Sequence, residues 1–328
     1  MFTNNQQQAY PWHLALMLTL LLGIGGCASK QPESSKQPMM MSMSAASMDM
    51  QKKMSMPTSV VEGNSQKQCH DWKYPELSGL VNNWVTDGCA KCAASVPNQS
   101  PIVLDPTTAN TGSGWTVPTN LSDPRFAVTL VRKDDHNNYA FAVSRLGGRP
   151  LTIVSSNWGG AGTMTFTLEE FHFHVPAEHV IVRQPVSMLE MHVKASGVGS
   201  GNISNWKATA VFAVQFAIGP ETGTPYSVLQ PVAESMAGKS PMLIKPFQLG
   251  SLIVPFTTQP QFQYYGSLTT PTCDSPIFFF VLRDPVRIHS ADWTSIANSL
   301  TSLNGVSNAR PLQARPLTTP SSVAIVSP

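Results

Sequence analysis

The stretch Phe171-His172-Phe173-His174-Val175-Pro176-Ala177-Glu178-His179, followed by Glu190-Met191-His192, constrains this chain more than any other. Histidines alternating with aromatic residues at a period of two mark a strand, and they set His172 and His174 on one face, roughly 7 Å apart. Glu190 and His192 repeat that parity on the neighbouring strand. A His-x-His pair with a third His one strand away brings three imidazoles to one point and leaves a fourth tetrahedral position open. That is the ligand count of a catalytic zinc site. A single strand histidine is most often a satisfied core or surface residue. Four histidines and two glutamates within about one hairpin, with no Cys nearby, are poorly explained that way.

The rest of the chain reads as a scaffold of strands. Its 328 residues are 42% hydrophobic, enough for a core, and a net charge of +2 gives no reason to expect a nucleic-acid partner. The β-type runs are Arg125–Arg132, Ala140–Val143, Thr163–His174, Met188–Val193, Ala208–Ile218, Phe278–Leu282 and Val286–Ile288, separated by Pro, Gly and Asn. Convincing amphipathic helices are few beyond Pro231–Ala237 and Ala291–Leu303. With no internal repeat and no second boundary, residues 69–328 read as one mainly β (α+β) catalytic domain.

Residues 1–26 read instead as an export signal. The apolar run Leu14–Ile24 is too short to span a bilayer as a stable helix and ends in Gly25-Gly26 before Cys27. Ile24-Gly25-Gly26-Cys27 resembles a bacterial lipoprotein box, which implies cleavage before Cys27, lipidation of its sulfur and attachment to a membrane. Ala28-Ser29, with no Asp, then favours the outer over the inner membrane and a periplasmic location. Met1–Trp12 departs from the usual signal in lacking Lys and Arg; an ordinary secreted protein cut elsewhere is the alternative. Residues 27–68 are rich in Ser, Gln, Lys and Met, cannot bury enough surface to fold, and read as a tether reaching roughly 35 Å. Its methionines, Met39, Met40, Met41, Met43, Met48, Met50, Met54 and Met56, could offer thioethers to Cu(I), although a Met-rich linker needs no such role.

With Cys27 lipidated, Cys69, Cys89, Cys92 and Cys273 remain, an even number suited to an oxidising compartment. Cys89-x-x-Cys92 lacks a second such pair to complete a zinc ribbon. Two disulfides are therefore expected, in any of three pairings.

A catalytic zinc also needs a group to orient its water, and Tyr264-Tyr265-Gly266-Ser267-Leu268-Thr269-Thr270-Pro271 supplies candidates. A buried Thr hydroxyl accepts a hydrogen bond from zinc hydroxide only if its own proton is committed elsewhere, and Glu178 could take it. These residues, with Asn98-Gln99-Ser100-Pro101-Ile102, Trp72-Lys73-Tyr74 and Asn308-Ala309-Arg310-Pro311-Leu312, together resemble the α class of carbonic anhydrases across nearly the whole folded part. The resemblance implies a central, mostly antiparallel twisted sheet with short peripheral helices and a conical cleft. It implies Zn2+ on His172, His174 and His192, with Glu190 behind His192 to fix its tautomer and Thr269 between zinc hydroxide and Glu178. The implied reaction is attack of that hydroxide on CO2 to give bicarbonate and a proton, with sulfonamides and anions as inhibitors. The family's disulfide corresponds to Cys92–Cys273, leaving Cys69–Cys89 as a second pair, with Cys89 competing for Cys273.

Several positions depart from the family. Tyr139 stands where fast members carry a shuttle His, and a phenol of pKa near 10 is a poor relay at neutral pH. His136, three residues away, could substitute if its loop points inward. In the substrate pocket, formed with Thr270, Val211 and Leu268 match apolar family positions and Phe279 replaces a Trp. Lys194 falls where Val is usual, a cation costly to bury unless its stem lines the wall and the ammonium reaches solvent. Glu170, where Gln is common, would make His172 a more basic ligand and raise the pKa of the zinc water.

Two other readings compete. His172-x-His174-x-x-x-Glu178 with His192 also resembles a cupin metal motif, in which Glu178 would be a fourth ligand to iron, manganese or nickel, although Phe166 and Pro185 stand where that motif has Gly. A non-catalytic, tethered binding domain of the same fold would have Lys194 as its support. Such members lose zinc histidines, and all three are present here.

Overall fold

The computed structural model describes residues 69, 72, 74, 83–111, 127–129, 131–135, 138–143, 152–158, 162–185, 187–219, 227–238, 246–304, 307–314 and 323–326. All lie in the second of the two units into which the chain divides, Asn64–Pro328. Cys27, the export signal, the Met-rich tether and His136 fall outside the described residues, and of Tyr139 only the backbone is described.

In chain order the strands are β1 (Val103–Leu104), β2 (Asn110–Thr111), β3 (Ala127–Thr129), β4 (Val131–Asp135), β5 (Asn138–Ala142), β6 (Thr152–Trp158), β7 (Gly162–His174) and β8 (Val180–Ile181). They continue with β9 (Leu189–Ser200), β10 (Lys207–Ile218), β11 (Pro246–Gln248), β12 (Gln261–Gly266), β13 (Ile277–Leu282), β14 (Val286–Ile288) and β15 (Ala324–Val326). Eleven of the described strands form one sheet in the order β2-β15-β12-β13-β10-β9-β7-β5-β4, with β14 beside β10 and β6 beside β7. Most pairings are antiparallel; β10 runs parallel to β13 and β14, and β15 to β2. This is the predicted sheet architecture. Met188–Val193 lengthens to β9 because small and β-branched residues from Ala195 to Ser200 keep pairing with β7.

The sheet buries both faces in its middle. Phe166, Phe171, Phe173, Met191, Val193, Phe212 and Phe280 are fully buried on one side with Ile253, Phe256, Ile296 and Leu300. Short helices cover this side: α1 (Gln230–Ala237), α2 (Leu249–Ile253) and α3 (Ser290–Asn304). Ile296 and Leu300, four residues apart, form one helical face, so α3 docks by a single stripe. The other side carries a smaller cluster that includes Val211, Ala213, Tyr264, Phe279 and Val281. The polar site opens beside it.

Asp292 is a local liability of α3. It is buried and its Oδ2 has no partner. Burial raises its carboxyl above the ordinary value; His289 opposes the rise and Glu234 adds to it. Because the folded pKa exceeds the unfolded one, its contribution to stability is complete below the unfolded pKa and is lost as pH rises through the folded one. Asp292→Asn is therefore expected to raise the melting temperature at pH 7 and leave it unchanged at pH 3, as read by thermal denaturation.

Candidate metal centre

The register of β7 against β9 builds the site. Glu170 is the Cα partner of Lys194, His172 of His192, and His174 of Glu190. Partners in register share a face, so these six side chains stand together while the alternate residues Phe171, Phe173, Met191 and Val193 go to the core. Across the sheet, β10 sets Val211 beside Lys194 and Ala213 beside His192, β13 sets Phe279 beside Val211, and β5 sets Ala140 beside His172. The floor is thus a row of imidazoles with an apolar wall along one flank.

His172, His174 and His192 present ring nitrogens that lie within 4.8 Å of one another. Their ring centroids are 4.6 to 5.7 Å apart. His174 Nδ1 donates to the Asn308 carbonyl at 2.9 Å, which leaves its Nε2 buried without a partner. His192 Nε2 donates to Glu190 Oε1 at 3.1 Å, which leaves Nδ1 free to face the site. Burial, followed by the neighbouring rings of His174 and His192, holds the His172 imidazole well below its usual pKa. Burial likewise takes His174 down to about 4, against the raising pull of the Asn308 carbonyl and Glu190. Neutral imidazoles are what a divalent metal requires, and three of them without a thiolate suit zinc.

Two buried carboxylates stand behind the rings. Glu190 Oε2 accepts the backbone N–H of Glu178 and of His179, each at 2.8 Å, and Oε1 accepts His179 Nδ1–H at 2.6 Å. Burial favours its neutral form, but His179 and His192 outweigh burial and hold it well below the carboxylate range. Glu178 Oε1 accepts the Arg310 amide at 2.8 Å. Burial pushes Glu178 up to about 7, opposed by the nearby His192, the Arg310 amide and the Thr269 hydroxyl, and its Oε2 is buried without a hydrogen-bond partner. Glu178 belongs to neither cluster of potential ligands among the described residues, so the fourth-ligand role required by the cupin reading is not formed. Glu190→Gln would take one acceptor from His192 and is expected to weaken zinc binding roughly 10- to 100-fold, read by competition with a chromogenic chelator.

His179, given no role by the sequence, is built into the site. It is buried between Glu190 and Tyr264, whose hydroxyl donates to His179 Nε2 at 2.6 Å. Ser100 Oγ bonds that hydroxyl at 2.9 Å, and a side chain at Gly266 would collide with Ser100 Oγ, so the glycine of the Gly-Ser-Leu-Thr-Thr run is required for this close approach. Arg310, also missed, is 2% exposed, lies 5.5 Å over Trp84, and donates to the Ser100 carbonyl at 2.7 Å and Gln99 Oε1 at 2.8 Å. It joins the Asn-Gln-Ser-Pro segment to the backbone behind Glu178. Its sequence signal was its place in the Asn308-Ala309-Arg310-Pro311-Leu312 run, which gave it no role.

The cleft above the three histidines has a volume of about 240 Å³ and is lined by Glu170, Lys194, Val211, Leu268, Thr269, Thr270 and Phe279, together with Trp72 and Tyr74. The last two were not predicted as site residues. They pack edge to face on each other at 5.3 Å, in a cluster with the buried Cys89, Cys92 and Cys273. The disulfides are Cys69–Cys89 and Cys92–Cys273, the pairing the resemblance implied. Glu170 Oε1 lies 3.9 Å from His172 Nδ1, too long for a direct hydrogen bond. Lys194 solves the problem of a buried cation through its stem: the stem lines the cleft and the ammonium leans to Glu169 Oε2 at 3.7 Å.

Residues 81–317 match the profile of the eukaryotic-type carbonic anhydrases. Carbonic anhydrase 4 of Mus musculus is 26% identical over 193 residues, covering 54% of this chain and 60% of that protein. A carbonic anhydrase of Neisseria gonorrhoeae is 31% identical over 170 residues, 51% of this chain and 57% of that one. The chain thus spans somewhat over half the length of these relatives. The α-carbonic anhydrase structure of Photobacterium profundum superposes with a TM-score of 0.55 at 24% identity, covering 78% of this chain and 99% of its own. By fold, site and profile, the chain belongs to the eukaryotic-type carbonic anhydrase family.

Proposed function

We propose that this protein catalyses the reversible hydration of CO2 to bicarbonate and a proton, with zinc held by His172, His174 and His192. The observation that carries the reading is the division of ring nitrogens: the outward ones of His174 and His192 are spent on Asn308 and Glu190, and the remaining ones converge on the cleft. Zinc bound there supplies a Lewis acid that lowers the pKa of its water to about 7.

The chain's own residues do the rest. Glu178, whose buried Oε2 has no other partner, would take the Thr269 proton, leaving the Thr269 oxygen on the cleft wall as an acceptor that orients the attacking water. Val211, Leu268 and Phe279 form an apolar wall that accommodates CO2 and keeps competing water away. In sequence Tyr139 corresponds to the place of the family's shuttle His, and a phenol there would return protons to solvent slowly at neutral pH. Glu170, 3.9 Å from His172, adds negative charge that shifts the working pH upward. Sulfonamides and small anions would compete for the open position.

Stopped-flow hydration in a weakly coordinating buffer tests both levels. The expected result is sulfonamide-sensitive hydration that added imidazole accelerates, with an alkaline pH optimum. Hydration at the uncatalysed rate would contradict the function; hydration indifferent to imidazole would contradict only the slow relay. Ile24-Gly25-Gly26-Cys27 together with the two disulfides supports export as a periplasmic lipoprotein anchored through Cys27, at the outer membrane given the residues that follow it.

A further inference from the structure

The cation on the cleft wall has a consequence for what the cleft retains. Lys194 follows His192 by two residues on β9, so both stand on the cleft side, and it lies beside Val211 in an otherwise apolar flank. Its partner Glu169 sits at the point where the β7–β9 register shifts, between Leu168 and Glu170. Strict alternation would aim Glu169 into the core; the irregularity turns it to the surface, where Ser196 and Lys194 meet its carboxylate. The Lys194 and Glu169 side chains are 36% and 41% exposed and 3.7 Å apart, a solvent-screened pair whose net attraction is weak. Glu170, the Cα partner of Lys194, lines the same cleft and is half-buried, so an ammonium that leaves Glu169 stays beside a carboxylate.

We propose that Lys194 is a specificity-determining residue that retains small anions in this cleft, parked on Glu169 when the cleft is empty and turned inward when an anion enters. The inference rests on the carbonic anhydrase reading and adds to it a charge discrimination between substrate and product. CO2 is neutral and gains nothing from the cation. Bicarbonate and inorganic monovalent anions gain an attraction that Val at this position could not give. Glu169 competes with them, so the two residues act in opposite directions.

The test is calorimetric titration of thiocyanate into the purified full-length protein, beside Lys194→Met, which keeps the apolar stem, and Glu169→Gln, which frees the ammonium. Thiocyanate affinity should fall about 3- to 10-fold in Lys194→Met and rise in Glu169→Gln, as expected for one partly screened charge pair. The KM for bicarbonate should rise in Lys194→Met by a larger factor than that for CO2. Equal affinities in all three proteins, a weaker rather than tighter Glu169→Gln, or no thiocyanate binding by the parent would overturn the inference. Metal content and CO2 hydration measured on the same samples separate the two levels: normal hydration with equal affinities sinks only the role of Lys194, whereas absent hydration sinks the catalytic reading whatever thiocyanate does.

Discussion

His192→Ala is expected to reduce bound zinc from stoichiometric to trace amounts and CO2 hydration to the uncatalysed rate. The ring being removed faces His172 across the β7–β9 ladder and is 4.6 Å from His174, centroid to centroid, so the two remaining imidazoles hold too few donors for a tetrahedral ion. Without the ion, water returns to its far higher bulk pKa, and the nucleophile available at neutral pH falls by many powers of ten. The fold should survive, since the core on the opposite face is built from Phe171, Phe173, Met191 and Val193 and is untouched. Zinc content by atomic emission, paired with circular dichroism, checks both halves. Retained stoichiometric zinc in a folded variant would contradict the ligand assignment.

Cys273→Ser is expected to cost about 2–5 kcal/mol of stability and to lower activity as well. The Cys92–Cys273 bridge spans 181 residues of sequence, a long loop whose closure restricts the unfolded chain strongly. It also fastens the turn that presents Thr269. Cys273 N donates to the Thr270 carbonyl at 2.8 Å, and Leu268 N to the Asp274 carbonyl at 2.9 Å. Chemical denaturation should show the lower midpoint, and the residual folded enzyme should show a reduced kcat because Thr269 is held less firmly. An unchanged midpoint would mean that the hydrogen bonds of this turn suffice without the bridge.

The three imidazoles were legible because a strand has a side-chain period of two. Once His172 and His174 share a face, an antiparallel neighbour carrying Glu190 and His192 falls into register with them, and Lys194 and Glu170 follow from the same parity. The parity ends at His174. Glu178 and His179 lie beyond it in a bend, and two adjacent residues there are buried toward different partners, Arg310 and Tyr264, that no periodicity predicts. The role of His179 carries no period-two signal for that reason. Arg310 was obscured by distance: it meets Ser100 across 210 residues of sequence, a contact that depends on the whole sheet being in place. The direction in which the Lys194 ammonium turns was hidden as well, because it depends on the irregularity at Glu169, which alternation alone cannot show.

The most direct test is the exchange of ¹⁸O between labelled CO2 and water at chemical equilibrium, followed by mass spectrometry with the zinc-loaded chain. The account predicts sulfonamide-sensitive loss of label from CO2 far above the uncatalysed rate. It also predicts slow release of labelled water, since no histidine stands at the position of Tyr139. Label loss at the uncatalysed rate from protein carrying stoichiometric zinc would contradict it.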